Sequence, residues 1–258
     1  FKQKTAYEML RSLVGSEMCI RDRTEDDQVF ASVCKLLDIN KINFWVCHGT
    51  LLGIIRESRL LPWDHDIDFA VWDHETSKSE IVEIFLKNGF KQEFVFGDLD
   101  CLHFYGADKK VDISFYKIYE DIASIKWSAP PTNFLAKTYI HFVQTMWETS
   151  FSGIELSKNK IKRFFHIIFL SVSFLIGVLL TKNMKNKLYN HSTSFLNYTG
   201  YSYDIDLMIF KKITFNGVLF QIPKNSEKCL ELTYGADWGV PKKNYIWYEE
   251  ASNLKDSY

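Results

Sequence analysis

The chain has few cysteines, almost no net charge and a single long apolar segment. Its five cysteines form no CxxC pair and no Cys/His cluster at metal-ligand spacing, which argues against a disulfide scaffold and a structural zinc site. A formal net charge of -1 supplies no basic field, so we expect no nucleic-acid partner. What the chain does contain is 47% hydrophobic residues, enough to bury a core in one large domain or two small ones.

The first residues are predicted not to belong to the folded protein. The stretch LVGSEMCIRDR, residues 13–23, back-translates in one reading frame to the transposase adapter used in sequencing libraries. We therefore expect residues 1–23 to be adapter-derived and the native domain to cover residues 24–258. The same codons in intact genomic DNA, contiguous with the codon for Thr24, would contradict this expectation.

The apolar segment, residues 164–180, carries no formal charge apart from that of a protonated His166. About 20 residues are usual for a membrane span, and about 17 is the lower limit. Basic residues flank the segment on both sides and give it no orientation. We expect a buried or interfacial helix, with peripheral membrane contact through residues 164–180, rather than a membrane span.

Periodicity predicts alternating helices and strands in the N-terminal half. Acidic residues open a helix at 24–40, and β-branched and aromatic residues mark a strand at 42–47. The triplet His48-Gly49-Thr50 is predicted to form a turn that leads into a short helix at 51–57. The remaining elements of this half are a strand at 67–72, a helix at 77–90 and strands at 92–96, 101–105 and 110–115.

The C-terminal half is predicted to combine a helical insertion with a hairpin. After Pro130-Pro131 the chain becomes an aromatic-rich helix at 137–151, and we place a helical insertion at about 131–203. The dipeptide Asn216-Gly217 predicts the turn of a hairpin at 211–223, and a short helix should then end at Tyr234-Gly235. These elements predict an α/β (α+β) domain with a mixed β-sheet flanked by helices.

The chemistry is expected to centre on the run Trp63-Asp64-His65-Asp66-Ile67-Asp68. Asp66 and Asp68 lie two apart at the start of a strand, so their side chains project from the same face. Two carboxylates repel unless a cation lies between them, and oxygen-only ligands suit Mg²⁺ or Mn²⁺. Asp112 is the candidate third ligand, because it is an acid among apolar residues in a later strand.

A calcium loop is the rival interpretation of these acids. Asp64, Asp66, Asp68 and Glu75 occupy positions 1, 3, 5 and 12 of an EF-hand loop. Position 6 is Phe69 instead of the required glycine, and a proline two residues before Asp64 interrupts any entering helix. We therefore favour the strand and the Mg²⁺ or Mn²⁺ site.

Three motifs resemble those of the LicD/fukutin family of phosphotransferases, within the nucleotidyltransferase-fold superfamily. They are HGTLLGIIR at 48–56, PWDHDID at 62–68 and LELTYGADW at 230–238, and the resemblance runs from about residue 34 to 247. The fold it implies is a nucleotidyltransferase-like mixed sheet. Two positions depart from the family pattern, since His48 replaces the more usual Gly and His65 replaces a third consecutive Asp.

The resemblance implies transfer of a phospho-alcohol, such as phosphocholine or ribitol phosphate, from a CDP-linked donor to a glycan hydroxyl. Asp66 and Asp68 would hold the metal, and Asp112 would bind metal or act as base. Asp64 would support them, and His65 should point away. The backbone N–H groups of Gly49 and Thr50 would approach the phosphates. Arg56 would neutralise an oxygen that develops negative charge.

Other outcomes stay open at this point. The chain is alternatively a nucleotidyltransferase acting on a sugar or small molecule, or an inactive nucleotide-binding module in glycan assembly. Its expected partners are a CDP-linked donor and a glycan acceptor. The expected location is the cytoplasmic face of the membrane for a bacterial protein and the Golgi lumen for a eukaryotic one. The lone histidines at 103, 141 and 166 are expected to be structural.

Overall fold

The computed structural model describes residues 25–93, 100–106, 109–129, 131, 133–146 and 160–242. The predicted adapter segment lies outside these residues, so its origin stays a prediction. The chain divides into two compact units. The first contains the described residues up to Lys126 and from Gly200 onwards, and the second contains those from Trp127 to Thr199.

Nine strands of the described chain form one mixed sheet in the order β3-β4-β5-β2-β1-β9-β8, with β6 paired to β5 and to β7. Strand β2 runs parallel to β5 and β1 runs parallel to β9, whereas the other pairings along this order are antiparallel. The strands are β1 Phe44–Val46, β2 Asp66–Trp72, β3 Lys91–Glu93, β4 Cys101–Gly106, β5 Lys109–Tyr119, β6 Ile122–Ala129, β7 Asn197–Asp204, β8 Phe210–Phe215 and β9 Val218–Pro223.

Helices flank this sheet in the first unit and make up most of the second. The first unit holds α1 Glu25–Ile39, α2 His48–Glu57, α3 Lys78–Lys87, a 3-10 helix Ile205–Met208 and α7 Ser226–Tyr234. The second holds α4 Phe134–Thr145, α5 Lys160–Leu179 and α6 Lys182–Thr193. In this unit α4 packs against both α5 and α6. The predicted fold class, a mixed sheet flanked by helices, is confirmed. The predicted domain boundaries stay predictions.

One face of β2 packs in the apolar core, and the other face begins with two acids. Ile67, Phe69 and Val71 alternate on one face of β2 and are fully buried in the core, with Phe30 of α1 and Phe85 of α3 in the same cluster. Burying one such side chain stabilises the fold by about 1.5–3 kcal/mol. The intervening residues of β2 face the other side of the sheet. Asp66 and Asp68 therefore share the face opposite the apolar core.

The predicted turn at His48-Gly49-Thr50 is wrong, because these residues form the first turn of α2. Cys47 precedes the helix in an extended conformation, and its carbonyl oxygen accepts a 2.9 Å hydrogen bond from the Leu51 N–H. The helix therefore begins three residues before its predicted start. Its first turn lies directly after β1, against the start of β2.

The predicted strand at 110–115 is too short, and its hairpin partner was not predicted. β5 continues to Tyr119, and β6 returns from Ile122 with Tyr119 opposite Ile122. The connection contains neither Gly nor Asn. Glu120 adopts the left-handed conformation there instead, with φ 53°. The hairpin at Asn216-Gly217 is confirmed, with both φ values positive as its turn requires. The predicted strand at 92–96 lies partly outside the described residues.

Among the described helices, none is long and apolar enough to cross a membrane. The predicted apolar segment 164–180 lies almost wholly in α5, which starts at Lys160 and ends at Leu179.

Candidate active site

Three carboxylates converge at the start of β2. Asp64, Asp66 and Asp68 each offer an oxygen, and these oxygens all lie within 4.8 Å of one another. Asp66 and Asp68 share a strand face by alternation, as predicted. Asp64 precedes the strand in a turn, where its N–H donates to the Leu61 carbonyl oxygen over 3.1 Å. Asp64 thus joins the cluster directly, whereas the sequence assigned it only a supporting place.

The first turn of α2 holds Asp68 in place. The Asp68 N–H donates to Thr50 Oγ1 over 2.8 Å, and the Thr50 N–H donates to Asp68 Oδ2 over 3.3 Å. Thr50 is buried, so this reciprocal pair is shielded from water. The predicted approach of this N–H to a phosphate stays a prediction. In the structure it donates to the acid instead.

Gly49 leaves the space that Asp64 occupies. A Cβ atom at Gly49 would overlap Oδ2 of Asp64 and would come within 3.4 Å of Asp68 Oδ2. A carboxylate oxygen pressed against a methyl group would have to move. The glycine is therefore required by close approach rather than by its backbone angles.

Crowding makes the cluster electrostatically unfavourable without a cation. Burial raises the pKa of Asp64 to about 7, with the neighbouring Asp66 carboxylate adding to the effect. Burial raises the pKa of Asp68 well above its usual value, and the charges of Asp66, Asp64 and Asp112 raise it further. A divalent cation between these oxygens would relieve the repulsion, and an all-oxygen set fits Mg²⁺ or Mn²⁺.

Asp112 lies on β5 directly across from Asp68, because the two parallel strands pair in register there. Its Oδ1 is 2.8 Å from His103 Nδ1, and its Oδ2 is 3.3 Å from Lys110 Nζ. Cys101 completes a second group with His103 and Asp112, whose ligand atoms lie within 4.8 Å of one another. The structure therefore brings Asp112 beside the acidic cluster but pairs it with His103.

His103 contacts the candidate site through Asp112, whereas the sequence predicted a structural role for it. It lies on β4 opposite Asp112, in an antiparallel pair whose register also matches Gly106 with Lys109. Predicting the register of the β4–β5 hairpin would have placed His103 opposite Asp112. The isolated histidine carried no such information.

The Arg56 side chain contacts Glu57 and the backbone of Trp238. Its guanidinium contacts Glu57 Oε1 at 2.8 Å and donates from Nη1 to the Trp238 carbonyl oxygen over 3.3 Å. The side chain is 10% exposed, so this pair is more than a solvated surface contact. The predicted binding of Arg56 to substrate stays a prediction.

His48 and His65 are the two positions at which the motifs depart from the family pattern. His48 has φ 46°, in the left-handed region that favours glycine, so the glycine of the family pattern that the sequence resembles would fit this position with less strain. Its Nε2 lies 3.3 Å from the Tyr116 hydroxyl, and burial lowers its pKa to about 4. His65 is exposed, and its backbone N–H donates to Asp64 Oδ1 over 3.1 Å. The expectation that its side chain points away from the acids stays a prediction. The EF-hand alternative is wrong, because the acids lead into a strand that pairs with β1 and β5.

Comparison with known proteins confirms the resemblance to the LicD/fukutin family over part of the chain. Residues 41–158 match the family model described as LicD/FKTN/FKRP, nucleotidyltransferase domain. This stretch contains the motifs at 48–56 and 62–68 and all of the candidate acids. The motif at 230–238 lies outside the matched stretch, so its resemblance to the family stays a prediction.

The similar proteins cover only part of this chain. Ribitol-5-phosphate transferase FKTN of Macaca fascicularis is 29% identical over 103 residues, which is 38% of this chain and 22% of that protein. An uncharacterised protein of Rickettsia typhi is 26% identical over 98 residues, 36% of this chain and 32% of that protein. The matches thus span a third or less of these relatives.

Two solved structures of antibiotic-modifying enzymes are more distant. The crystal structure of ANT(2")-Ia in complex with adenylyl-2"-tobramycin has a TM-score of 0.33 and 13% identity, over 66% of this chain and 98% of that chain. The lincosamide antibiotic adenylyltransferase LnuA has a TM-score of 0.31 and 16% identity, over 57% and 96%. Likenesses of this size carry no argument about function.

Proposed function

We propose that the chain is a metal-dependent phosphotransferase, which moves a phospho-alcohol from a CDP-linked donor to a glycan hydroxyl. The observation that carries the proposal is the convergence of Asp64, Asp66 and Asp68 inside the stretch that matches the family model. The family match and the similarity to fukutin support a phosphotransferase of glycan modification. The phospho-alcohol is of the phosphocholine or ribitol-phosphate class.

The acidic cluster fits the metal that this chemistry needs. Asp64, Asp66 and Asp68 would hold Mg²⁺ or Mn²⁺, which when bound neutralises charge on the diphosphate of the donor. Thr50 keeps the Asp68 carboxylate oriented by donating to it, and Gly49 keeps the space of Asp64 open. Such fixed positioning, rather than covalent chemistry by the protein, is what phosphoryl transfer requires.

The pair of Asp112 and His103 serves the acceptor side of the reaction. A hydroxyl that attacks phosphorus must lose its proton, and a carboxylate held beside the metal-binding acids is suited to accept it. His103 and Lys110 contact different oxygens of Asp112 and so limit the rotation of its carboxylate. Asp112 accordingly accepts the proton of the acceptor hydroxyl, and His103 acts as its positioning residue.

Turnover with defined donors tests this function. The full chain is incubated with CDP-choline, CDP-ribitol or CDP-glycerol, Mg²⁺ or Mn²⁺ and a mixture of simple glycosides, and CMP release is measured. We expect one donor to release CMP in a metal-dependent reaction. The Asp66→Asn, Asp68→Asn double variant should lose this activity, whereas the matched variant Asp38→Asn, Asp121→Asn, at two exposed acids, should retain it.

Three results would contradict the proposal. Pyrophosphate release from a nucleoside triphosphate, with nucleotide attached to a sugar and no CMP from any CDP donor, would identify a nucleotidyltransferase. Nucleotide binding without turnover of either donor class would identify an inactive module. Full activity in the Asp66/Asp68 double variant would refute the metal site itself.

A further inference from the structure

Helix α5 has an inner face that packs within the second unit. His166 lies against His141 of α4, with their Nε2 atoms 3.2 Å apart, and the ring of Phe169 stacks on His141. Gly177 lies against the Met146 backbone so closely that a Cβ atom there would be only 2.7 Å from the Met146 carbonyl oxygen. This face is thus occupied by α4 and the residue that follows it.

The outer face of the same helix is apolar and exposed. Apart from the adjacent Phe164 and Phe165, its side chains recur three or four residues apart, the spacing of one helical face. Their exposed fractions range from 44% at Ile168 to 78% at Leu179. The residues of this outer face are Phe164, Phe165, Ile168, Val172, Leu175 and Leu179. A contiguous apolar face of this kind marks a surface that contacts another apolar phase.

The stretch of sequence that contains this helix has only basic charged residues. From residue 156 to residue 203 the sequence contains no Asp or Glu. The same stretch contains seven basic residues, which are Lys158, Lys160, Lys162, Arg163, Lys182, Lys185 and Lys187. Arg163 and Lys182 are exposed and flank the apolar residues of α5 in the chain, and Lys187 is exposed on α6.

We propose that α5 lies in the surface of an anionic lipid bilayer, with its outer face among the acyl chains and the flanking cations at the lipid phosphates. Apolar side chains on one face with lysine and arginine beside them are the features of a helix that binds in the membrane interface. Basic residues near an anionic leaflet each contribute about 1 kcal/mol to such binding. The charge therefore selects the lipid surface as the occupant.

The two competing occupants are less compatible with these observations. A second copy of the chain would bring two sets of basic residues together without an acidic partner from this stretch, which opposes association. A membrane span would have to separate the inner face of α5 from α4 and expose His166 to the hydrocarbon, where an unpaired polar group is costly. A helix lying along the interface keeps that face on the protein.

Vesicle flotation tests the proposal. The full chain is mixed with vesicles of phosphatidylcholine alone or with phosphatidylglycerol, at low and high salt, and the floated fraction is measured. We expect binding to the phosphatidylglycerol vesicles that weakens at high salt. The Phe165→Ser, Val172→Ser, Leu175→Ser variant should bind at least about tenfold more weakly, since three buried apolar contacts are lost. Lys182→Glu with Lys187→Glu should also weaken binding.

Matched variants separate lipid binding from general effects. Ile39→Ser, Leu219→Ser, Val240→Ser removes three comparably exposed apolar residues elsewhere and should bind like the wild type. Lys35→Glu with Lys91→Glu is the corresponding charge control. Failure of the wild type to float with either vesicle, or equal binding by the α5 and control variants, would overturn the proposal. A dimer in light scattering that only the α5 variant abolishes would identify a second copy as the occupant. Flotation is independent of turnover, so either proposal can fail alone.

Discussion

Individual residues decide whether three acids can share one site. Gly49 and Thr50 carry no charge, yet one leaves the space for Asp64 and the other exchanges hydrogen bonds with Asp68. The HGT triplet of the first motif therefore has a physical role before any substrate binds. Its residues orient the carboxylates that the second motif supplies.

Replacing Gly49 by alanine should disrupt the cluster. The new methyl group would displace the Asp64 carboxylate, and we expect Mn²⁺ affinity to fall by roughly 10- to 100-fold, the usual effect of changing a residue that orients a ligand. Calorimetric titration with Mn²⁺ measures this change. Gly239→Ala is the control, because a Cβ there has no atom within 4 Å. Equal affinity in the two variants would show that Asp64 does not take part in binding.

His48 should make folding sensitive to acid. Burial lowers its folded-state pKa from 6.5 to about 4, against the weaker opposing effect of Asp112. The unfolded chain therefore binds a proton first, so stability from this group is complete above about 6.5 and is lost as the pH falls towards 4. The loss is up to about 3 kcal/mol at 1.4 kcal/mol per pKa unit.

Denaturant unfolding of the wild type and of His48→Asn, at pH 7.5 and at pH 4.5, measures this contribution. Asparagine accepts a positive φ better than most residues and does not titrate in this range. We expect acidification to lower the free energy of unfolding more in the wild type than in the variant. An equal decrease in both proteins would assign the acid sensitivity to other groups.

Individual elements followed the local pattern where a glycine marked their ends. Gly89 and Gly217 mark a helix end and a hairpin turn, and both have positive φ in the structure. The extension of β5 and its hairpin to β6 was missed, because Glu120 is an unusual residue for a left-handed turn position. The start of α2 was misplaced because the turn triplet fits the first turn of a helix equally well.

The pairing of β6 with β7 depends on Gly200. A Cβ at this position would overlap the carbonyl oxygen of Ile125, a backbone atom that cannot rotate away. Gly200→Ala should therefore lower the free energy of unfolding by about 1–3 kcal/mol, as overpacking does in well-packed structures. Urea unfolding measures the change, with Gly239→Ala as control. A loss below about 0.5 kcal/mol would mean that the strands separate at little cost.

At the scale of the whole molecule, the proposed metal site predicts that the acidic cluster lowers stability until an ion binds. Three carboxylates with oxygens within 4.8 Å repel one another, so Asp68→Asn should raise the free energy of unfolding by on the order of 1 kcal/mol in metal-free buffer. The wild type should instead gain about 2.7 kcal/mol from Mn²⁺ at a hundred times its dissociation constant. The variant should lose this gain.

Thermal unfolding with EDTA and with Mn²⁺ measures both effects. Asp38→Asn, at an exposed acid of α1, should match the wild type in both conditions. A metal-induced rise in melting temperature that persists in Asp68→Asn would refute the assignment of this carboxylate to the ion. If Asp68→Asn is less stable than the wild type in EDTA, the hydrogen bonds of Asp68 contribute more to stability than the repulsion costs.

The sequence by itself determined the local features of this protein. Alternation placed Asp66 and Asp68 on one strand face, the turn residues located the C-terminal hairpin, and the motifs identified a family that matches residues 41–158. Each of these depends on residues close together in the chain, where backbone geometry and side-chain direction are set by neighbours.

Only the tertiary structure decided how the acids are partnered. Asp64 joins the cluster because the turn before β2 folds back beside Gly49, and Asp112 meets His103 because β4 and β5 pair in one register. A shift of one residue in that pairing would move His103 away from the face of Asp112. Register between strands depends on hydrogen bonds and core packing contributed by the whole sheet. It is for this reason that the acidic motif at 62–68 revealed the acids of the proposed metal site but not their neighbours.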